Sequence, residues 1–350
     1  MHKYDSSDLY LTVGRPPSFK IDGEVKSAGK QVVDEETMEK LWRSVTTDKQ
    51  AEEFEIKKEL NLAICYDDIE GRYRFNMYRQ KNSPAMVIRK IETEIKSLED
   101  LKLPDTLAEL VMQKRGLVVV VGATGSGKST TLAAMIDYRN RNEAGHIITI
   151  EDPVEFIHEH KKCVVSQREV GLDTDSFHSA LKNTLRQAPT TILIGEIRDE
   201  ETMEHALSFA ETGHLCLATL HSNNANQAIE RMMNFFPIEK HRQLYLNLSL
   251  NLKGIISQRL IKTVDGGRAA AIEILTSSSR VSELIKNGKT DEIKEAMEKG
   301  KSNGMQTFDQ ALISLVKEGR ISEEEAVSNA DSPTNLQLQI KLEQGSKEFI

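Results

Sequence analysis

The sequence predicts an α/β protein, in which a parallel sheet covered by helices follows a small α+β domain. Three observations carry that expectation. From about residue 105 onward, short β-branched apolar runs alternate with helical patterns, the order that builds a parallel sheet. Within that stretch, LVVVVGATGSGKSTTLAAMIDY (117–138) joins a buried strand, a glycine-rich loop and a helix. Ahead of it, residues 1–92 read as short alternating strands around a charged helical segment.

At 350 residues the chain is long for one domain, so two are expected. With 39% hydrophobic and 29% charged residues, the composition is that of a globular protein. No apolar run is long enough to span a bilayer. The start, MHKYDSSDLY, has no apolar signal core, which argues against export. Cys65, Cys163 and Cys216 are odd in number, far apart and without a CxxC pair. They argue against a disulfide framework or a four-cysteine zinc site, and suit a reducing cytoplasm. A net charge of −8 disfavours adhesion to nucleic acid, and no nucleic-acid partner is expected.

In chain order, residues 8–25 alternate apolar and polar positions, with Gly-Arg-Pro-Pro and Asp-Gly as turns, and predict a β-hairpin. Residues 34–58 have helical spacing through Met38, Leu41 and Trp42, and strands follow at 60–66, 71–79 and 85–90. The segment 92–104 is polar and ends in proline, so the N-terminal domain is placed at 1–92, a linker at 93–104 and the ensuing domain at 105–350. In that domain the expected strands are 117–121, 146–150, 191–194 and 215–220. The expected helices are 130–138, with Leu132, Met135 and Ile136 on one side, 176–187, and 200–211 with Gly213 past its end. The last third reads as mostly helical, with Ser322-Glu323-Glu324-Glu325 as a capping box.

The chemistry centres on Gly122-Ala123-Thr124-Gly125-Ser126-Gly127-Lys128-Ser129, a full G-x-x-x-x-G-K-[ST] match followed by Thr130. Glycines let successive backbone N–H groups turn inward and cradle a phosphate chain, and the following helix adds its positive end. Lys128 suits the β and γ phosphates, and the Ser129 hydroxyl suits Mg²⁺. The motif therefore predicts binding of a nucleoside triphosphate. Such a loop needs acidic partners, and two apolar strands end in them: IITI before Glu151-Asp152, and TILI before Gly195-Glu196. The TILI segment has the form of a Walker B strand, with Gly195 at the usual aspartate position. His214 and His221 flank the strand 215–220, near one sheet edge if strand order is ordinary, whereas His205 and His241 read as structural. Cys216 reads as a small buried residue. A phosphoryl-transferring site usually employs an arginine, and spacing leaves Arg72, Arg74, Arg79 and Arg89 all open.

Together these residues resemble the type IV pilus retraction ATPases of the PilT/PilU class, within the secretion-ATPase superfamily. The resemblance runs through GATGSGKST, HIITIEDPVEFIH, ILIGEIRDEETMEHALSFAETGHLCLATLHSNNANQAIERMMNFF and GMQTFDQALISLVKEGRIS, with RYRFNMYRQ and AMVIRKI upstream. GHLCLATLH, NLSLNLKGIISQRL and the tail ADSPTNLQLQIKL are more similar to the PilU branch. The resemblance implies a PAS-like N-terminal domain joined to a RecA-like ATPase domain, and six chains in a ring that binds ATP and Mg²⁺. By motif, Glu151 would be the general base, Glu196 the carboxylate at Mg²⁺ and water, His214 and His221 a histidine box, and Arg74 and Arg89 the arginines facing the phosphates. The expected partners are a PilT-like motor and the inner-membrane pilus platform protein, with the ring peripheral to the cytoplasmic membrane. A non-hydrolysing adaptor on another motor, a pilus assembly or secretion ATPase and a nucleic-acid translocase are the alternatives. Two departures from the pattern are expected to matter. Only MHKYDS precedes the first strand, where the family usually opens with a helix, and Thr190 stands where the family has aspartate, which is expected to weaken that turn.

Overall fold

The computed structural model describes residues 1, 4, 6–21, 24–66, 69–91 and 94–345, without the side chains of 65–71 and 343–345. The expected Asp22-Gly23 turn, the linker's first positions and the Cys65 side chain lie outside the described residues. The chain forms two compact units. The first comprises Met1–Glu94 with the later segments Pro153–Ile157 and Glu169–Asp175; the remainder forms the second.

The first unit is an antiparallel sheet with two helices. Strands β1 (Asp8–Thr12), β2 (Ser18–Ile21) and β3 (Glu24–Ser27) form a meander, so the expected hairpin carries a third strand. Helices α1 (Glu35–Ser44) and α2 (Asp48–Lys57) replace the single expected helix. The break has a local cause: Thr47 and Gln50 form a capping box that starts α2 afresh. Strands β4 (Glu59–Tyr66), β5 (Ile69–Gln80) and β6 (Ser83–Ile91) complete the order β3-β2-β1-β6-β5-β4. Trp42 and Phe54 meet edge to face at 5.1 Å and, with Met38 and Met77, fill the core between helices and sheet.

The second unit opens with α3 (Thr106–Val111), β7 (Gly116–Val121), α4 (Lys128–Asn142) and β8 (Gly145–Glu151). Leu98 and Leu103, from the segment read as a linker, are buried in its core beside Leu107. Next come β9 (Cys163–Glu169), α5 (Phe177–Thr184), β10 (Thr191–Ile194), α6 (Glu200–Glu211), β11 (Leu215–Leu220), α7 (Ala225–Asn234) and α8 (His241–Asn251). Thr212 caps α6 and Gly213 follows at φ +98°, the conformation that position requires. Strands β12 (Leu252–Lys262) and β13 (Arg268–Thr276) were not expected in a mostly helical last third. Helix α8 runs into β12 without a glycine or proline between them, which hides the boundary in the sequence.

The strand order is β13-β12-β7-β11-β10-β8-β9. From β12 through β7, β11 and β10 to β8 each strand runs parallel to the next, but β13 runs antiparallel to β12, so the expected parallel sheet is mixed. Every residue of β7 is buried, as a strand between two others with both faces covered must be. The C-terminal helices α9 (Ser279–Lys286), α10 (Ile293–Lys299), α11 (Phe308–Lys317), α12 (Glu323–Ser328) and α13 (Pro333–Gly345) follow. Phe308, Leu312, Leu336 and Ile340 pack with Ile261 and Ala271 of the last two strands. Ser322 accepts from the Glu325 N–H, but the Glu325 carboxylate receives Asn329 instead of returning to the cap, so the expected box is only half made. No helix of the described residues is long and apolar enough to cross a membrane.

Candidate functional site

The loop after β7 is shaped by close approach. A Cβ at Gly122, where φ is +154°, would stand 2.4 Å from Ser126 Oγ and 2.6 Å from the Gln258 carbonyl oxygen. At Gly127, with φ +87°, it would stand 2.7 Å from Gln258 Nε2. Only glycine fits either place. Helix α4 starts at Lys128, two residues before the expected 130, so Lys128, Ser129 and Thr130 form its first turn. Lys128 Nζ donates to the carbonyls of Gly122 and Ala123 at 2.9 and 3.0 Å. Ser126 Oγ is buried without a hydrogen-bond partner among the described residues, a polar atom held within the loop. The loop is clamped from β12, where Gln258 Oε1 receives the buried Thr131 hydroxyl at 2.7 Å. Backbone curl, an amine, hydroxyls and a helix N-terminus fit a phosphate chain and its cation.

Register brings the carboxylates to this edge. Ile150, Ile194, Ala218 and Val119 stand in one row across β8, β10, β11 and β7, so the C-terminal ends of all four strands share a rim. Glu151 ends β8, accepting the Thr149 hydroxyl at 2.6 Å and Gln167 Nε2 at 3.4 Å. Glu196 follows β10, with one oxygen 3.0 Å from His221 Nε2 and the other accepting from Arg198 Nε at 2.6 Å. Arg198 reaches Asp152 at 3.6 Å as well. Gly195 has a steric reason: a Cβ there would lie 3.1 Å from both Glu151 Cα and the Ile150 carbonyl oxygen. The usual aspartate would press on the end of β8.

His214 is not on this rim, which corrects the expectation that both histidines share an edge. It precedes β11 and His221 follows it, so the length of a six-residue strand, about 20 Å, separates them. The His214 carbonyl accepts the Gly116 N–H at 3.0 Å, and its Nδ1 lies 3.1 Å from Thr212 Oγ1. Thr190 stands at that far edge too. Its hydroxyl donates to the His146 carbonyl at 3.1 Å and accepts the His146 N–H at 3.2 Å, so it ties β8 to the turn before β10. These two bonds, with the Thr190 N–H donating to the same carbonyl, hold that turn.

In the first unit, Arg74 and Arg89 are direct cross-strand partners on β5 and β6 and therefore share one face of the sheet. Arg89 pairs with Asp8 at 2.8 Å, and Arg74 lies 4.0 Å from Glu169, which is 1% exposed and accepts the Val154 N–H. Arg79 pairs with Glu55 at 2.6 Å beside the Phe54 ring. Cys216 is fully buried and burial pushes its thiol up, as expected of a small core residue.

Sequence reasoning missed Gln258, Gln167 and Glu273. Glu273, on β13, is 3% exposed and accepts the Ala225 N–H at 2.8 Å and the Ser257 hydroxyl at 2.9 Å. Ser257 pairs with Val121, the last residue before the glycine loop, and Ala225 opens the helix that follows His221. The buried carboxylate thus ties the phosphate strand to the segment behind His221. Burial pushes its carboxyl up to about 7, against the two donors and Arg259, which lower it. The signal was legible: a lone acid inside the apolar run AAAIEIL.

Comparison with known proteins agrees with this geometry. Residues 72–302 match the family described as type II/IV secretion system protein. The chain is 54% identical over 337 residues to the type IV pilus ATPase PilU of Pseudomonas aeruginosa, spanning 96% of this chain and 88% of that protein. It is 41% identical over 333 residues to the type IV pilus retractation ATPase PilT of the same organism, spanning 95% and 96%. The crystal structure of the pilus retraction motor PilT with bound ADP matches with a TM-score of 0.89 at 41% identity, over 96% of each chain. By the loop, the acidic strand ends and these matches, the chain belongs to the type II/IV secretion system protein family.

Proposed function

We propose that this chain is an ATP-hydrolysing motor that powers type IV pilus retraction, of the PilU kind, with a domain 1–92, a linker 93–104 and an ATPase domain 105–350. The observation that supports it most is the shared rim, on which the glycine loop, Glu151, Glu196 and His221 converge.

In this reading the backbone N–H groups of 122–130 hold the phosphate chain, and Lys128 exchanges its loop carbonyls for the β and γ oxygens. Ser129 and Glu196 hold Mg²⁺, which supplies charge neutralisation at the phosphates when bound. Glu151, oriented by Thr149 and Gln167, accepts the proton of the attacking water. His221 fixes Glu196 and donates toward charge that develops at the γ-phosphate. Arg74 and Arg89, side by side on their sheet, are the arginines assigned to supply positive charge. His214, at the far edge, holds the start of β11. Six subunits act as a ring in the cytoplasm, beside a PilT-like motor and against the membrane platform protein.

Phosphate release by the purified chain, together with pilus counts in a strain lacking it, tests the proposal. Turnover dependent on Glu151 and a deletion strain crowded with non-retracting pili are expected. A deletion strain without pili overturns the retraction reading.

A further inference from the structure

Helices α5 and α6 pack together, and three side chains that the nucleotide site does not use meet between them. His178 is the second residue of α5. Glu201 and His205 are four apart on α6, so one helical turn puts them on the same face. His178 Nδ1 contacts the Glu201 carboxylate, and the two imidazole centroids are 6.3 Å apart. One ligand atom from each residue lies within 4.8 Å of the other two. The His205 ring is backed by Phe209, one turn further along α6, at 5.9 Å.

We propose that His178, Glu201 and His205 form a binding site for a divalent transition-metal ion of the zinc class, with solvent completing the coordination. Two imidazole nitrogens and a carboxylate oxygen make a borderline donor set that suits Zn²⁺ and its neighbours, while Mg²⁺ and Ca²⁺ prefer oxygen alone. Ligands at zinc bond length on tetrahedral corners stand about 3.3 Å apart, so rotation of exposed side chains closes the site with the helices in place. His178 and Glu201 are exposed, which provides both the entry path and room for water. A plain helix-to-helix ion pair needs only His178 and Glu201 and gives His205 no part. The metal needs all three. Helix α6 begins just beyond Glu196 with Asp199 as its cap, so a bound ion would tie α5 to the segment carrying that carboxylate.

The test titrates the full, untagged, nucleotide-free chain with Zn²⁺ by calorimetry and with Co²⁺ by its visible ligand-field bands, in excess Mg²⁺. An equivalent of metal per chain, bound at micromolar concentration or tighter, is expected. His178→Ala and His205→Ala should each weaken binding by more than about 10-fold, since loss of a ligand exceeds loss of its supporting hydrogen bond. Glu201→Gln should weaken it as well, while Lys128→Ala should bind metal as wild type does. Wild-type binding weaker than micromolar, or binding that survives in His205→Ala, overturns the proposal. His178→Ala, a change at an exposed position, keeps the test decisive if the His205 variant does not fold.

Discussion

The two edges of the central sheet use similar residues for opposite ends. Each has a histidine at one end of β11, and each has polar side chains bridging neighbouring strands. At the C-terminal edge, β7, β10 and β11 each lead into a helix, α4, α6 and α7. Positive helix ends therefore gather there and favour anions. At the N-terminal edge helices arrive by their C-termini, as at Thr212 and Gly213, and Thr190 and His214 spend their polar atoms on backbone and on neighbouring turns. The same residue type is a candidate for chemistry at one edge and a fastener at the other. Strand polarity makes the difference.

The comparison breaks most sharply at Glu151. Glu151→Gln should leave nucleotide bound and lower phosphate release by about 10²–10⁴-fold, the usual worth of a positioned base. Retained turnover in that variant would remove Glu151 from the mechanism. A paired experiment sharpens the contrast between edges. His221→Ala should cost about 10²-fold in kcat, as for loss of one donor at developing charge. His214→Ala should leave kcat near wild type and lower stability by about 1 kcal/mol, read by denaturant titration. Equal losses of turnover would show that edge position does not decide the role.

Glu273 allows a test by pH. Its folded value, about 7 against 4.5, means that the folded state holds the proton more tightly than the unfolded chain. Its contribution is therefore fully present below pH 4.5 and is lost as pH rises to about 7, by about 3 kcal/mol at most. His158, buried and pushed down to about 4, gives the opposite slope between its ordinary 6.5 and 4, so wild type alone is uninformative. The difference between Glu273→Gln and wild type isolates the carboxyl: relative to wild type, the variant should gain stability as pH rises through this window. A difference that stays constant with pH would contradict the buried, raised carboxyl. An effect as small as that of His214→Ala is expected of Thr190→Val, which removes the hydroxyl's bonds to His146 and should cost about 1 kcal/mol without changing nucleotide affinity.

Particular elements show where reading residues in order succeeds. Strands 191–194 and 215–220 and the helix 200–211 match the structure to the residue, because each is an apolar or periodic run ended by glycine, an acidic cap or a turn. The fusion of α1 and α2 into one expected helix shows the converse, since a capping box inside a charged stretch looks like more helix. The β12–β13 pair was hidden for the same kind of reason, lying straight behind α8 with no break between.

From its sequence alone the chain declared a glycine loop for phosphates, two acidic strand ends and a separate small domain. All are local signals, in which backbone freedom and side-chain chemistry sit within a few consecutive residues. Tertiary structure decided which of these meet. Strand order and register put Glu151, Glu196 and His221 on one rim and sent His214 to the other; they set Arg74 opposite Arg89, and brought Gln258 and Glu273 from the last third of the chain to the phosphate strand. Such pairings join residues far apart in sequence, and their energy resides in shared burial and hydrogen bonds that no single segment contains.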